Sequence, residues 1–218
     1  MAASIKEYLL ETVNLCKVQW PANRTVNLVF HGHSVPSGYF CTPAVDTLNA
    51  YPHLTLIELR QKFPFSVINT IVTAIGGENS EKGAARFETE VLNHRPDVLF
   101  IDYGLNDRGL GLATAKKSWS KMIELALKKN VKVILLTPTL DNTVDPAKPT
   151  ANELYKHVKQ IEGLAKTYKV GLVDSYNAMI NYCKVNNVKI ERLLSQSNHP
   201  NKIGHEIVAS QIINWFPM

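Results

Sequence analysis

Four residues of this chain, Ser34, Gly77, Asn106 and His199, are of types that could together hydrolyse an ester. That chemistry needs an activated hydroxyl, a base that takes and returns its proton, and donors that stabilise the developing oxyanion. A serine hydroxyl is a poor nucleophile unless an imidazole accepts its proton, so Ser34 requires a histidine partner. We therefore predict Ser34 as the nucleophile, His199 as the base, and Gly77 and Asn106 as oxyanion donors.

The surrounding sequence predicts that these residues meet at one edge of a sheet. Ser34 lies in the segment VNLVFHGHSVPSGY, in a glycine-flanked turn that follows an apolar run. Gly77 and Asn106 each follow a further strand-like run, and His199 comes just before the final helix. The carboxyl ends of parallel strands lie along the same edge, and open α/β folds bind their ligands there.

The alternation of strand-like and helical patterns predicts the fold class. Five runs are near-continuously apolar, as expected for parallel strands covered by helices on both faces: Val26–His31, Ser66–Ile75, Asp97–Tyr103, Val131–Thr137 and Val170–Asp174. Amphipathic patterns predict helices over Ser4–Val18, Leu54–Lys62, Ser80–Asn93, Leu112–Lys129, Ala151–Tyr168, Ser175–Val185 and Lys202–Trp215. We expect one domain over residues 1–218, an α/β/α sandwich of three layers around a central five-stranded parallel sheet.

The composition excludes several classes of protein. The chain has 218 residues, 45% of them apolar and 20% charged, which is ordinary for one globular domain. Its formal charge of +5 comes from lysines interleaved with acidic residues, which argues against a nucleic-acid partner. No apolar run approaches the ~20 residues of a membrane span, and the N-terminus lacks the apolar core of a secretory signal. We expect no membrane partner and a cytoplasmic protein, or a secreted or periplasmic one if a signal peptide has been removed.

Metal and cofactor sites are not predicted. The three cysteines are widely spaced and include no C-x-x-C pair, which argues against zinc and redox sites. His31 and His33 lie two residues apart, as two ligands on one face of a strand would, but no further histidine or cysteine cluster joins them. We expect a small-molecule ester substrate, no metal and no cofactor, and the sequence leaves the oligomeric state open.

The motifs GHSVPSGY, AIGGENS, GLND and HPNKIGH, in this order, resemble the SGNH hydrolase superfamily, also called GDSL-type esterases, lipases and acylhydrolases. The resemblance covers most of the chain and implies a flavodoxin-like arrangement of the sheet. It also implies the nucleophile at Ser34, the base at His199, and oxyanion donors at Gly77 and Asn106. In that family the backbone N–H of the nucleophilic serine, here Ser34, is a third oxyanion donor.

Two positions depart from the family pattern. The first motif usually reads Gly-Asp-Ser, whereas here His33 precedes the serine. His33 either supports the loop, which we favour, or lines the acyl pocket. The family normally has an aspartate three residues before the base, and that position is Gln196 here. Loss of the corresponding charge from a serine-protease triad costs ~10⁴ in turnover.

Three outcomes are therefore open. In the first, a Ser–His dyad suffices, with Nδ1 of His199 held by a neutral group, either the Gln196 amide or a backbone carbonyl. A carboxylate such as Glu191 could approach instead from the preceding helix. The third outcome is a weak or inactive enzyme.

Other side chains near the predicted site have two interpretations each. Arg108 either contacts a polar or anionic group of the substrate or is simply exposed to solvent, while Asp107 is expected to brace its own turn. The proline-rich segment Asp141–Thr150 is either a mobile lip over the site or a plain connecting loop.

Taken together, these features predict a carboxylic ester hydrolase that removes a short acyl group, such as acetyl, from a carbohydrate or another small polar substrate. The main alternative is a catalytically weak or inactive protein of the same fold that binds carbohydrate or acyl groups, and Gln196 is its support. A flavodoxin-like nucleotide or flavin binder is a second alternative, for which HGHSVPSG is only a partial match.

Overall fold

A computed structural model describes residues 2–218, and its centre is a five-stranded sheet in which every pairing is parallel. The strands run in the order β2-β1-β3-β4-β5 and comprise β1 (Thr25–Gly32), β2 (Val67–Val72), β3 (Val98–Asp102), β4 (Lys132–Leu136) and β5 (Gly171–Val173). This is the flavodoxin-like order, which confirms the predicted fold class.

Eight helices surround the sheet within the described residues: α1 (Leu10–Lys17), α2 (Ser34–Ser37), α3 (Tyr51–Lys62), α4 (Ser80–Glu90), α5 (Leu112–Lys128), α6 (Leu154–Tyr168), α7 (Ser175–Asn186) and α8 (Lys202–Ile213). Successive strand residues face opposite sides, so Phe30 and Phe100 pack with α1, α3, α7 and α8, while Leu99 and Ile101 pack with α4 and α5. The result is the predicted three-layer sandwich. No helix among residues 2–218 combines the length and the apolar character needed to cross a bilayer.

Side-chain caps determine where the helices that follow the site begin. The side-chain oxygens of Asn79, Asp174 and Asn201 accept hydrogen bonds from backbone N–H groups in the first turns of α4, α7 and α8. Such caps satisfy donors that the helix itself leaves unpaired. Gly77 and His199 each lie two residues before such a cap, at Asn79 and Asn201, so both are held close to the start of a helix.

Most elements differ from their predicted bounds by a few residues, and the differences at α1 and β2 have a clear structural cause. The N-terminal helix starts at Leu10 instead of Ser4, and the residues before it make tertiary bonds, with the hydroxyl of Tyr8 accepting from the N–H of Val133 at 3.1 Å. Strand β2 ends at Val72, because beyond it only Thr73 and Ile75 donate to the neighbouring strand before the chain turns away. That early departure from the sheet leads directly into Gly76 and Gly77.

Candidate active site

The predicted nucleophile lies on the one-turn helix α2, directly beyond the end of β1. A side chain at Gly32 would collide with the carbonyl oxygen of Asp102, so only glycine lets β1 run this close to β3 before the turn. The ring of His33 then caps α2, since its Nδ1 accepts a hydrogen bond from the N–H of Val35 at 3.2 Å. This arrangement presents the hydroxyl of Ser34 at the carboxyl edge of the sheet.

The structure brings His199 to Ser34 across 165 positions of sequence. Nε2 of His199 lies 3.0 Å from Oγ of Ser34, within hydrogen-bond distance. Nδ1 of the same ring lies 3.2 Å from the backbone carbonyl oxygen of Phe40. A carbonyl can only accept, so Nδ1 carries the proton and Nε2 has a free lone pair for the serine hydroxyl. The ring is thus held in the tautomer that a general base requires.

The two side chains considered as orienting groups for His199 lie elsewhere, which corrects those alternatives. The side-chain oxygen of Gln196 accepts from the backbone N–H of Thr42 at 2.9 Å. Glu191 is exposed in the short 3₁₀ turn Ile190–Leu193. Gln196 therefore ties the loop before His199, which we call the base loop, to the loop that carries Phe40. The group that lies against Nδ1 of His199 is the Phe40 carbonyl.

We predict a pH profile from the surroundings of His199. Burial lowers the pKa of its imidazole below the ordinary 6.5, the hydrogen bond to the Phe40 carbonyl opposes this shift, and the neighbouring His33 adds to it. Because only the neutral ring can accept a proton, kcat/KM for p-nitrophenyl acetate should rise with pH along an acid limb whose midpoint lies below 6.5. Stopped-flow rates from pH 4.5 to 8 measure this midpoint.

The matched control for this profile is His94→Gln, which removes an exposed histidine and should leave the profile unchanged. A midpoint clearly above 6.5 would contradict the expected direction of the shift, and a profile without an acid limb would contradict the assignment of His199 as the base.

The predicted oxyanion donors line the same cleft as the serine. Gly77 has φ of +76°, in the left-handed region that glycine adopts without strain, at the turn that follows β2. One N–H of the Asn106 side-chain amide donates to the backbone carbonyl of Glu78 at 2.9 Å. Since that amide carries two N–H groups, its other N–H remains free to donate towards the cleft.

These groups share one open cleft of about 390 Å³. Its walls are formed by Ser34, Tyr39, Thr42, Gly76, Gly77, Asn106, Gln196, Asn198 and His199. The ring of Tyr39 lies against Gly76, where an added Cβ would come within 2.9 Å of it. The four residues predicted for the chemistry therefore line a single small cavity whose other walls are mostly polar.

His33 lies beneath this cleft and does not form part of its wall. Its side chain is buried, and its Nε2 lies 3.5 Å from a carboxylate oxygen of Asp102. The hydroxyl of Tyr51 donates to the other oxygen of that carboxylate at 3.1 Å. Together with its cap on α2, these contacts agree with the loop-support interpretation of His33. Sequence reasoning overlooked Asp102 and Tyr51, although a carboxylate at the end of an apolar strand was an available signal.

Arg108 forms an ion pair within the protein and is not among the residues that line the cleft. Its guanidinium lies 2.5 Å from the buried carboxylate of Asp141. Next to it, the N–H of Asn142 donates to the carbonyl of Ser197 at 2.8 Å, in the loop before His199. The start of the segment Asp141–Thr150 thus braces the base loop, and Arg108 holds that brace in place.

Asp107 is fully buried, and its carboxylate bonds to groups outside its own turn, which differs from the bracing of that turn expected from the sequence. Its two carboxylate oxygens accept from the N–H of Ser80 at 2.8 Å and from the indole N–H of Trp119 at 2.7 Å. Burial raises the pKa of this carboxyl, and the two hydrogen bonds oppose that shift. Asp107 thereby links the turn that carries Asn106 to α4 and α5.

Comparison with known proteins gives three results. A model of the GDSL-like lipase/acylhydrolase family matches residues 30–207. Among curated proteins, the "Uncharacterized lipoprotein YqeF" of Bacillus subtilis (strain 168) is 30% identical over 101 residues, which span 42% of this chain and 40% of the relative.

Among solved structures, a two-domain esterase active on acetylated mannans has a TM-score of 0.74 and 20% identity, covering 96% of this chain and 52% of its own. The acetylxylan esterase Axe2 of Geobacillus stearothermophilus has a TM-score of 0.71 and 21% identity, covering 93% and 97%. At these identities the two structures establish a shared fold. This chain spans about half of the two-domain esterase and less than half of the lipoprotein.

Proposed function

Because this chain belongs to the GDSL-like lipase/acylhydrolase family, we propose that it is a serine esterase that removes short acyl groups, acetyl above all, from a carbohydrate or another small polar alcohol. One observation carries the proposal. The hydroxyl of Ser34 lies 3.0 Å from Nε2 of His199, in a cleft that Gly77 and Asn106 also line. A nucleophile, its base and two donors then face one position where an ester carbonyl fits.

In the proposed mechanism, Oγ of Ser34 attacks the ester carbonyl while Nε2 of His199 takes the hydroxyl proton. The backbone N–H groups of Ser34 and Gly77 and the side-chain amide of Asn106 donate to the oxyanion of the tetrahedral intermediate. His199 then protonates the departing alcohol, which leaves an acyl-enzyme on Ser34. Water repeats the sequence with His199 as base, the acid is released, and the serine recovers its proton.

In this proposal Ser34 and His199 act as a dyad, and a backbone carbonyl orients the imidazole. The Phe40 carbonyl holds the tautomer of His199 but brings no full charge to stabilise the imidazolium. Hydrogen bonds to an ionised acceptor are roughly twice as strong as neutral ones. We therefore propose a slower enzyme than a family member with an aspartate at position 196, and an active one, because the tautomer and the ring position are still held.

Three features support the choice of substrate. The cleft is small, at about 390 Å³, and seven of the nine residues that line it, all but the two glycines, carry polar side-chain groups. It therefore suits a short acyl chain and a hydroxyl-rich leaving group better than a fatty acyl chain. Two proteins of the same fold are an esterase active on acetylated mannans and an acetylxylan esterase.

We expect kcat/KM to fall sharply as the acyl chain of the substrate becomes longer. The kcat/KM for p-nitrophenyl acetate should exceed that for the octanoate by at least about tenfold, because the mostly polar walls of the cleft offer the longer chain little apolar surface to pack against. Release of acetate from acetylated xylooligosaccharides and mannan, measured by chromatography, tests the carbohydrate assignment. A preference for octanoate would overturn the short-chain assignment.

The alternative is a binding protein with no turnover, which the missing aspartate at position 196 favours. A fluorophosphonate probe followed by peptide mass spectrometry separates the two. Labelling at Ser34 supports the esterase, since the probe reacts only with an activated serine. An unlabelled Ser34, together with calorimetric binding of acetylated oligosaccharides and no acetate release, would support the binding protein.

The place of action is also a proposal. The relative in Bacillus subtilis is named a lipoprotein, which supports action outside the cytoplasm, in contrast to the cytoplasmic location expected from the sequence. Fractionation of the native host with an antibody against this chain tests it, and recovery in the cytoplasm alone would contradict it.

A further inference from the structure

A buried polar network lies behind the proposed oxyanion donors, and the proposed mechanism does not use it. Its centre is the carboxylate of Glu78, which accepts two hydrogen bonds from the guanidinium of Arg86, at 2.5 and 2.9 Å. The same carboxylate accepts from the hydroxyl of Tyr103 at 2.7 Å. Arg86 also donates to the carbonyl of Thr73 at 2.6 Å. The network therefore joins α4, the residue that directly follows β3, and the chain beyond β2.

His31 extends this network and has a defined role in it. Its Nε2 lies 3.1 Å from the hydroxyl oxygen of Tyr103, and its Nδ1 lies 3.0 Å from the hydroxyl of Thr73. Since the Tyr103 proton goes to Glu78, the Tyr103 oxygen accepts from Nε2–H of His31. Burial lowers the pKa of His31 to about 4, so this ring is neutral at pH 7 and serves as a fixed donor.

The carboxylate at the centre is ionised. Burial opposes its charge, but the hydrogen bonds from Arg86 and Tyr103 outweigh burial and hold the pKa of Glu78 below its usual value. A charged carboxylate that accepts several hydrogen bonds in a buried site has one well-defined position. The side chain of Glu78 therefore holds the backbone of the same residue in place.

That backbone touches the proposed oxyanion hole. The carbonyl of Glu78 accepts from the side-chain amide of Asn106 at 2.9 Å, which determines how the amide is turned and which N–H faces the cleft. Residue 78 also directly follows Gly77. An error of about 1 Å in such a donor can cost ~10²-fold in rate.

We propose that Glu78 is a positioning residue, whose carboxylate, held by Arg86 and Tyr103, orients the Asn106 amide towards the oxyanion. The inference rests on the proposed esterase function and adds to it a residue that does not line the cleft. It also accounts for a glycine within α4. A Cβ at Gly83 would collide with the hydroxyl of Tyr103, so the absence of a side chain there lets that hydroxyl reach Glu78.

A double-mutant cycle tests the coupling between Glu78 and Asn106. The four proteins are the wild type, Glu78→Gln, Asn106→Ala and the double variant, assayed for kcat and KM with p-nitrophenyl acetate. We expect Glu78→Gln to lower kcat about tenfold with little change in KM. In the Asn106→Ala background the same change should lower kcat by less than about twofold, because the group it positions is gone.

The matched control is Glu90→Gln. Glu90 also pairs with Arg86, at 3.1 Å, but its side chain is 57% exposed and lies away from the cleft, so kcat should stay unchanged. If Glu78→Gln fails to fold, as judged by circular dichroism, Tyr103→Phe replaces it in the same cycle. That variant removes one hydrogen bond to Glu78 and keeps the Arg86 pair and the packed ring.

The outcomes separate this inference from the function on which it rests. Equal kcat losses in both backgrounds, with an active wild type sensitive to Asn106→Ala, would overturn the positioning role alone. A purely structural role would give such equal losses. A wild type without esterase activity would overturn the proposed function and this inference together.

Discussion

Replacement of Ser34 by alanine should lower kcat for p-nitrophenyl acetate by at least about 10³-fold while the melting temperature stays nearly the same. In the proposed mechanism the hydroxyl oxygen forms the acyl-enzyme, whereas its contacts within the protein are only the 3.0 Å bond to His199 and a weak contact of 3.5 Å to Nδ1 of His33. His199→Gln should give a loss of similar size. The double variant should be hardly worse than either single one, because the two groups act as a unit.

Ser37→Ala is the matched control for this experiment. Ser37 lies on the same one-turn helix, but its hydroxyl donates to the carbonyl of His33 at 2.9 Å and is absent from the cleft wall. Its loss should change kcat by less than about threefold, in line with a single neutral hydrogen bond. Equal rates for the wild type, Ser34→Ala and His199→Gln would show that any observed hydrolysis arises elsewhere, and the esterase proposal would fail.

Asn106→Ala should lower kcat by about 10²- to 10³-fold, as loss of one oxyanion donor does in other serine hydrolases. The reason is that the oxyanion develops only in the transition state, so KM should change little. Asn106→Asp should be at least as harmful, because a carboxylate places negative charge where the oxyanion forms. Steady-state kinetics with p-nitrophenyl acetate measure both.

The control for the asparagine series is Asn93→Ala, which removes an exposed asparagine from the turn between α4 and β3. It should leave kcat and KM unchanged. If Asn106→Ala kept more than about a third of the wild-type kcat, the amide would have no share in oxyanion stabilisation, and the positioning role of Glu78 would fall with it.

Much of the fold was predictable because its signals are local. Short apolar runs separated by amphipathic segments require strands covered by helices, and the five predicted runs coincide with the five observed strands. Bounds were less predictable where long-range contacts decide them, as at the start of α1, where Tyr8 bonds to a strand. Strand β2 is shorter than its apolar run because its last residues leave the edge of the sheet.

The partner of His199 was not predictable from residue types. Sequence pattern pointed to a side chain at position 196, but the partner is a backbone carbonyl at Phe40, and every residue has such a group. Gln196 has a different partner, the N–H of Thr42, which is 154 positions away. Only the folded chain decides which of many equivalent carbonyls lies against a given ring.

Local patterns in the chain specify the α/β class, the order of strands and helices, and four residues whose types suit ester chemistry. Hydrophobic periodicity and side-chain chemistry are properties of short segments, so they are visible without the fold. Only the folded chain shows that Ser34 and His199 lie within hydrogen-bond distance, that the Phe40 carbonyl lies against Nδ1 of His199, and that the Glu78 carbonyl accepts from Asn106. Those relations depend on how strand ends and loops far apart in the chain are packed together, and that packing is determined by the whole core.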